Sequence, residues 1–228
     1  MQFMVRQRTK RLFIVQCAQT HSAGNLFKQK FQSLFVVRYF FMRLIKPVRT
    51  ERAYRFDLIF YAVSPLSLGL LLYIYSPLES RAEILLLGLV GLVLWSLIEY
   101  LLHRFVLHGL PPFKRWHTQH HNQPMARICL PTALSMLLIL LLVFLPSLCV
   151  FNIWQASSFT CGVLSGYAIY THIHHATHHA RQTNGWLARR QREHAIHHAS
   201  HHFSLQPKER NFGVTNQFWD RLFHTAAH

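Results

Sequence analysis

Histidine is concentrated in four short clusters, and this clustering limits the folds that the chain can adopt. Sixteen of the 18 histidines lie between residues 103 and 224, and three of the four clusters contain an H-x-x-H-H unit. In an α-helix the positions i, i+3 and i+4 are neighbours, so each unit is expected to direct its imidazoles to a common point. The fold must therefore bring several helix ends together. The clusters begin at His103, His117, His172 and His194.

The composition of these clusters predicts metal binding. Imidazole is a good ligand for Zn, Cu, Fe and Ni, and about eight to ten histidines are enough for two ions that each take roughly four to six ligands. A purification tag would be contiguous and terminal, whereas these clusters are interrupted by Ala, Ile and Thr. The sequence therefore predicts a dinuclear metal centre.

Four apolar segments approach the roughly 20 residues that a helix needs to cross a bilayer. Their Pro and Gly residues are tolerated in membrane helices, because neighbouring helices satisfy the freed backbone groups. We therefore expect an all-α integral membrane four-helix bundle with a cytoplasmic, helical, His-rich catalytic cap. The predicted spans are residues 56–75, 82–102, 130–150 and 153–169.

The distribution of Lys and Arg predicts the orientation. Of these 24 residues, 23 lie before the first span, between the second and third spans, or after the fourth. Cytoplasmic segments carry an excess of Lys and Arg, so both termini and all four histidine clusters are expected on the cytoplasmic side of a bacterial inner membrane or the endoplasmic reticulum. Loops beside anionic lipid account for the net charge of +16, and no nucleic-acid partner is expected.

Residues 1–55 differ in composition from the rest. The first 50 residues contain no acidic residue and mix basic with apolar side chains. This pattern favours a cytoplasmic or interfacial amphipathic segment, although an organelle-targeting presequence would have a similar composition. Residues 56–228 are expected to form a single catalytic domain.

The few acidic residues indicate the type of chemistry. Zinc hydrolases commonly use a nearby carboxylate as general base. Here the H-E-x-x-H unit of zinc proteases is absent from the sequence. A pair of redox-active iron ions could instead activate O2 for attack on a C–H bond, and a lipid is the natural substrate beside a membrane bundle. The acids near the clusters are Glu99, Glu193, Glu209 and Asp220.

Several stretches resemble the fatty acid hydroxylase and sterol desaturase superfamily of membrane di-iron, histidine-box oxygenases. Residues 99–108 are similar to its first box, residues 117–121 to its second and residues 166–178 to its third. The tail at residues 211–225, NFGVTNQFWDRLFHT, resembles the C-terminal signature. The resemblance covers roughly residues 56–225 and is closest to the fatty acid 2-hydroxylase-like branch.

The resemblance implies ten iron ligands and a set of overlapping alternatives. The implied ligands are His103, His108, His117, His120, His121, His174, His178, His194, His197 and His198. The alternative-register ligands are His175, His179, His201 and His202. Trp219 and Asp220 are expected to fix the tail against the catalytic domain, with acceptance of a ligand imidazole N–H by Asp220 as the alternative. Glu99 is expected to pair with Arg104 or a ligand histidine, and Tyr170 either lines the substrate path or packs.

The function implied is hydroxylation of a lipid, most simply of a fatty acyl chain, with two Fe ions and O2. Electrons would come from a separate donor protein, such as a cytochrome b5 or a ferredoxin with its reductase. A sterol or carotenoid hydroxylase or desaturase is the alternative within the same chemistry. A non-catalytic metal-binding membrane protein is the alternative from another class. The oligomeric state stays open.

Overall fold

The computed structural model describes residues 50–181, 184–202 and 210–227, and in these ranges the chain is α-helical without a β-strand. These residues belong to one compact unit, Pro47–His228. The predicted N-terminal segment therefore lies outside the described residues except at positions 50–55. The all-α prediction is confirmed for the part that the structure describes.

Two long apolar helices open the described chain. Helix α1, Glu51–Tyr75, begins five residues before the predicted span, where the Thr50 side chain accepts a hydrogen bond from the Ala53 N–H. Helix α2, Arg81–Leu101, follows a 3₁₀ turn and continues as a π-helix over Leu102–Leu107. Both helices are long and apolar enough to cross a membrane.

The outward faces of α1 and α2 are apolar. Leu66 is 73% exposed and Val93 is 69% exposed, which is unlike the buried core helices of a soluble protein. Among the described residues, these are the two helices that meet the length and composition needed for a span. The four-span bundle therefore stays a prediction.

The remaining helices differ from the predicted spans in their bounds. The third predicted span is interrupted by a π-helical stretch, Leu140–Phe144. The fourth begins as predicted at Ile153, where Asn152 and Gln155 form a capping box, but the helix continues ten residues beyond Ile169. The helices are α3 (Phe113–Asn122), α4 (Thr132–Ile139), α5 (Leu145–Ser147), α6 (Ile153–His179), α7 (Gly185–His202) and α8 (Phe218–Leu222).

Small residues let α2 and α6 approach closely. A Cβ added to Gly91 would lie 2.2 Å from the Phe159 carbonyl oxygen, and one added to Gly162 would lie 1.9 Å from the Gly88 carbonyl oxygen. Close backbone contact through small residues is typical of membrane helix pairs. Helices α2 and α6 each carry a histidine cluster at one end, so their tight packing fixes the positions of the two clusters relative to each other.

Candidate metal centre

Nine of the ten implied ligands form two compact groups. Within each group the candidate ligand atoms all lie within 4.8 Å of one another. The first histidine group consists of His103, His108, His117, His121 and His197, and the second consists of His120, His174, His178 and His194.

The π-helical end of α2 brings His103 and His108 together. Residues five apart in an α-helix point in different directions, but a π-helix closes its turn with a hydrogen bond from residue i+5 to residue i. Here the His108 N–H donates to the His103 carbonyl over 3.2 Å, and the two ring centroids lie 5.2 Å apart. The five-residue spacing therefore suits a π-turn.

The H-x-x-H-H units of α3 and α7 divide their histidines between the two groups. In α3, His117 and His121 join the first group, while His120 joins the second. In α7, His197 joins the first group and His194 the second. The expectation that each unit points to one spot is therefore wrong, because α3 and α7 each lie between the two groups and present side chains to both.

The tenth implied ligand, His198, contacts both groups. Its Nε2 lies 3.2 Å from His194 Nε2. Its ring stacks on His121 with centroids 4.2 Å apart and an interplanar angle of 17°. All ten implied ligands are therefore in one continuous cluster, although their role as ligands stays a prediction.

The alternative-register histidines of α6 lie apart from both groups. His174 and His178 face the centre, whereas His175 accepts or donates a 3.0 Å hydrogen bond with the Tyr54 hydroxyl. His179 packs against His175 with ring centroids 4.7 Å apart. Helix α7 extends to His202, but the side chains of residues 201 and 202 lie outside the described part.

Backbone carbonyls orient two rings of the first group. His103 Nδ1 donates to the Phe212 carbonyl over 2.5 Å, and His197 Nδ1 donates to the Arg210 carbonyl over 2.8 Å. When Nδ1 carries the proton, Nε2 keeps its lone pair for a metal, and such a bond also fixes the ring's direction. Both Nε2 atoms face other imidazoles.

The spacing of these nitrogens fits a shared cation. Nε2 of His117 lies 2.9 Å from that of His103 and 3.0 Å from that of His121, and His178 and His194 are joined by a 2.8 Å separation. Two metal–nitrogen bonds of about 2.1 Å at a right angle would place their nitrogens about 3.0 Å apart. His120 Nε2 is buried without a hydrogen-bond partner among the described residues. A nitrogen that binds a metal would have this environment.

Burial also keeps the histidines neutral. Desolvation, followed by the neighbouring His178, lowers the pKa of His120 to about 2. Desolvation, followed by His198, lowers the pKa of His178 to about 3. Burial lowers the pKa of His194 and His197 as well. Neutral imidazole is the form that binds metals.

Nearby carboxylates hold the C-terminal tail in place. Glu99 Oε1 accepts from the backbone N–H groups of Val214 (2.7 Å) and Thr215 (2.9 Å), whereas Arg104 donates to the Tyr100 hydroxyl. The expected pairing of Glu99 with Arg104 or a ligand histidine is therefore wrong. Sequence reasoning missed this contact because its partners are more than a hundred residues away and are mainly backbone groups.

The tail is held by its own acid and tryptophan as expected. Asp220, fully buried, accepts from the backbone N–H groups of Phe212 (2.8 Å) and Gly213 (2.7 Å). Trp219 Nε1 donates to Ser96 Oγ on α2 over 3.0 Å. These contacts position the Phe212 carbonyl that orients His103.

A mainly apolar cavity of about 250 Å³ adjoins both histidine groups. Its wall includes His103 and His117 of the first group and His120 and His174 of the second. Tyr170 lines this cavity and stacks on His174 with ring centroids 5.7 Å apart. The apolar lining includes Leu58, Leu102, Val106, Leu107, Leu130 and Leu138.

Comparison with known protein families assigns the chain to one of them. The model of the fatty acid hydroxylase family matches residues 88–225, which hold both histidine groups and the tail. The chain belongs to the fatty acid hydroxylase family. Its likeness to fatty acid 2-hydroxylases and ceramide hydroxylases confirms the predicted branch.

Individual relatives of this fatty acid hydroxylase family member differ in length. A fatty acid 2-hydroxylase of Homo sapiens is 32% identical over 152 residues, covering 62% of this chain and 39% of the relative. A dihydroceramide fatty acyl 2-hydroxylase of Arabidopsis thaliana is 29% identical over 182 residues, covering 73% of each chain. The chain thus spans about two fifths of the length of its mammalian relatives.

One solved structure has the same fold. It is described as full-length scs7p with only the hydroxylase domain visible, and it matches with a TM-score of 0.60 at 24% identity. The match covers 82% of this chain and 69% of the other. This likeness extends the family assignment to the arrangement of the helices.

Proposed function

We propose that this protein is a membrane-embedded di-iron oxygenase that hydroxylates the acyl chain of a lipid, using O2 and electrons from an external donor protein. The observation that carries the proposal is the position of two histidine groups at the wall of one apolar cavity. The cavity suits a hydrocarbon chain, and the histidines suit a redox-active metal. The family membership and the names of the relatives support the same reaction class.

The donor set fits iron. The first group would hold one ion and the second the other, with His198 beside both. Bound iron would supply the activation of O2 that is needed to break an unactivated C–H bond. Glu99 and Asp220 both bind backbone N–H groups of the tail, so neither is placed as the general base that a zinc hydrolase needs.

The protein's own residues position the lipid and keep water away. The leucines and valine of the cavity wall would enclose the acyl chain, while Tyr170 would guide it past His174. Enclosure protects a reactive oxidant from side reactions with solvent. The Glu99 and Asp220 contacts would hold the tail so that its carbonyls keep His103 and His197 oriented.

The charges and the exposed apolar faces support a proposed topology. We propose four spans with the histidine groups at the cytoplasmic side. Helices α1 and α2 expose apolar side chains, and basic residues are concentrated at the start of α1 and beyond the end of α2. An acyl chain would enter from the bilayer. An electron donor such as a cytochrome b5 or a ferredoxin would approach from the cytoplasm.

The test is a comparison of cellular lipids by mass spectrometry. Cells expressing the intact protein should gain one oxygen on a lipid class, and cells expressing the His120→Ala, His178→Ala double variant should not. His172→Ala is the matched control, because His172 is an exposed histidine of α6 whose hydrogen bond within the described part of the chain goes to the Ala168 carbonyl of its own helix. Loss of two hydrogens from a lipid would mean that the reaction is desaturation rather than hydroxylation. No lipid change despite bound iron and a supplied electron donor would refute the enzyme in favour of a non-catalytic metal-binding protein.

A further inference from the structure

A second pocket, of about 550 Å³, lies between the start of α7 and helix α8. It shares no lining residue with the apolar cavity beside the histidines. Its wall combines three arginines with three large apolar side chains that are more than half exposed. The arginines are Arg189, Arg190 and Arg221, and the apolar residues are Trp186, Phe218 and Leu222.

The guanidinium group of Arg190 is buried and incompletely paired. The residue is only 5% exposed, and its Nη2 forms an ion pair with Glu193. Among the described residues, Nε and Nη1 have no hydrogen-bond partner. Buried guanidinium N–H groups are costly unless acceptors satisfy them. A ligand with several acceptor oxygens would supply the partners that Arg190 lacks.

Positive charge exceeds negative charge at this pocket. Glu193 pairs with Arg189 over 3.3 Å as well as with Arg190. Burial raises the pKa of Glu193, and the guanidinium groups of Arg190, Arg189 and Arg221 oppose this shift. Three cations thus surround one carboxylate in the described part of the chain. An anion would balance the remaining charge.

Compensation of buried acids does not account for all three arginines. Glu99 and Asp220 attract Arg190, but both carboxylates already accept backbone N–H groups of the tail. Arg189 and Arg221 are exposed and would not be needed to neutralise acids in the interior. Their position on the pocket wall is the feature to be explained.

The packing of α8 on α2 favours a membrane ligand. Trp219 bonds Ser96, which lies six residues, or about 9 Å, before the predicted end of the second span. Phe223 stacks on Tyr100 with ring centroids 5.3 Å apart. The exposed apolar residues of α8 are thus level with the border between acyl chains and headgroups, where aromatic side chains are enriched. Basic pockets at this level suit anionic headgroups.

We propose that this pocket binds the phosphate of an anionic membrane phospholipid. The arginines would bind the phosphate oxygens, and the exposed apolar side chains would contact the acyl chains. This lipid is a bound ligand and not the substrate, because the pocket and the cavity have separate walls. The proposal rests on the proposed membrane placement of α2 but not on the reaction. The lipid would join the tail to α7, the helix that carries His194 and His197.

Competition between lipids tests the site. The intact protein in detergent would be given phosphatidylglycerol and phosphatidylcholine with the same acyl chains, and retained lipid would be measured by native mass spectrometry. Phosphatidylglycerol should bind at least fivefold more tightly, because phosphatidylcholine adds a cation to an already positive site. Inorganic phosphate at the same concentration should not displace it, since phosphate makes no apolar contact. Equal retention of the two lipids, or displacement by phosphate, would overturn the lipid site.

Substitution of the exposed arginines separates the site from general charge attraction. The Arg189→Gln, Arg221→Gln double variant keeps Arg190 and its ion pair with Glu193. Each arginine near a membrane surface contributes about fivefold to the binding of an anionic lipid, so the double variant should lose about 25-fold. Arg192→Gln is the matched control, because Arg192 is exposed on the same helix but does not line the pocket. An equal loss per arginine in Arg192→Gln would overturn the proposal.

The remaining outcomes distinguish this site from the proposed function. An acidic electron-donor protein is the other partner that three arginines could attract. If the double variant weakened donor binding but left phosphatidylglycerol retention unchanged, the lipid site would be wrong. The predicted lipid preference with no oxygenated product would support the site and refute the enzyme. Oxygenation by a protein without any preference between the two lipids would do the reverse.

Discussion

Glu99 and Thr215 are joined by two hydrogen bonds across 116 residues of sequence. The Thr215 N–H donates to Oε1 over 2.9 Å and its hydroxyl to Oε2 over 2.6 Å. The adjoining tail residue Phe212 offers its carbonyl to His103 Nδ1. A carboxylate on a long apolar helix therefore acts on the first histidine group through the tail. It is a positioning residue.

Replacing Glu99 with Ala is expected to weaken metal binding. The buried N–H groups of Val214 and Thr215 would lose their acceptor, and the tail would no longer hold the Phe212 carbonyl against His103. Loss of such an outer hydrogen bond typically lowers metal affinity about 10- to 100-fold. Metal titration of the purified variant measures the change. Glu79→Ala, which removes an exposed acid elsewhere, is the control, and equal affinities in both variants would contradict the positioning role.

His120 and His121 are adjacent, but their substitutions should affect different ions. His121→Ala should lower occupancy of the first group, and His120→Ala that of the second, because the two rings belong to separate groups. Each variant should keep part of the bound metal, while both lose activity. Metal analysis combined with metal-centred spectroscopy distinguishes the two. Identical spectra and identical metal loss in both variants would mean a single indivisible site.

Contact between α2 and α6 should depend on Gly162. Gly162→Ala would place a methyl group 1.9 Å from the Gly88 carbonyl, so the helices would have to separate. Overpacking of this kind costs about 1–3 kcal/mol of unfolding free energy. Thermal unfolding in detergent measures it. Gly69→Ala is the control, because its added Cβ would be 3.9 Å from Cys161 Sγ, and a similar loss in both variants would argue against the close helix contact.

Filling the cavity should stop lipid turnover without removing metal. Leu58 lines the cavity on α1 and does not belong to either histidine group. Leu58→Trp adds bulk where the acyl chain is proposed to lie, so hydroxylation should fall by at least an order of magnitude while metal content stays that of the intact protein. Leu66→Trp, on the exposed face of the same helix, should have little effect. Undiminished activity of Leu58→Trp would place the substrate elsewhere.

The sequence was sufficient to predict that the histidine clusters gather, but not which members of the overlapping units take part or how they divide. Spacing alone placed His117, His120 and His121 on one helix. Their assignment to two groups depends on the facing helices α2, α6 and α7, which a local pattern does not specify. The alternative between His174 and His175 was likewise decided by tertiary packing, because His175 is bonded to Tyr54 on α1.

Two further features depended on backbone geometry that composition does not reveal. The pairing of His103 with His108 requires a π-turn, and the Arg-Phe-Val-Leu stretch between them is equally compatible with an α-helix. The sequence predicts that Glu99 pairs with Arg104 or a ligand histidine, yet it binds backbone N–H groups of the distant tail. Short-range patterns predicted the helices and the donor atoms, whereas long-range contacts determined the orientation of the site.

The most direct test of the account is oxygen transfer by the purified protein. Iron-loaded protein in nanodiscs, with an electron donor system and an acyl lipid, would be exposed to isotope-labelled O2, and the lipid would be analysed by mass spectrometry. A di-iron oxygenase should place one labelled oxygen atom on the acyl chain, and the His120→Ala, His178→Ala variant should place none. Unlabelled product, or no product from protein that holds two iron ions and accepts electrons, would contradict it.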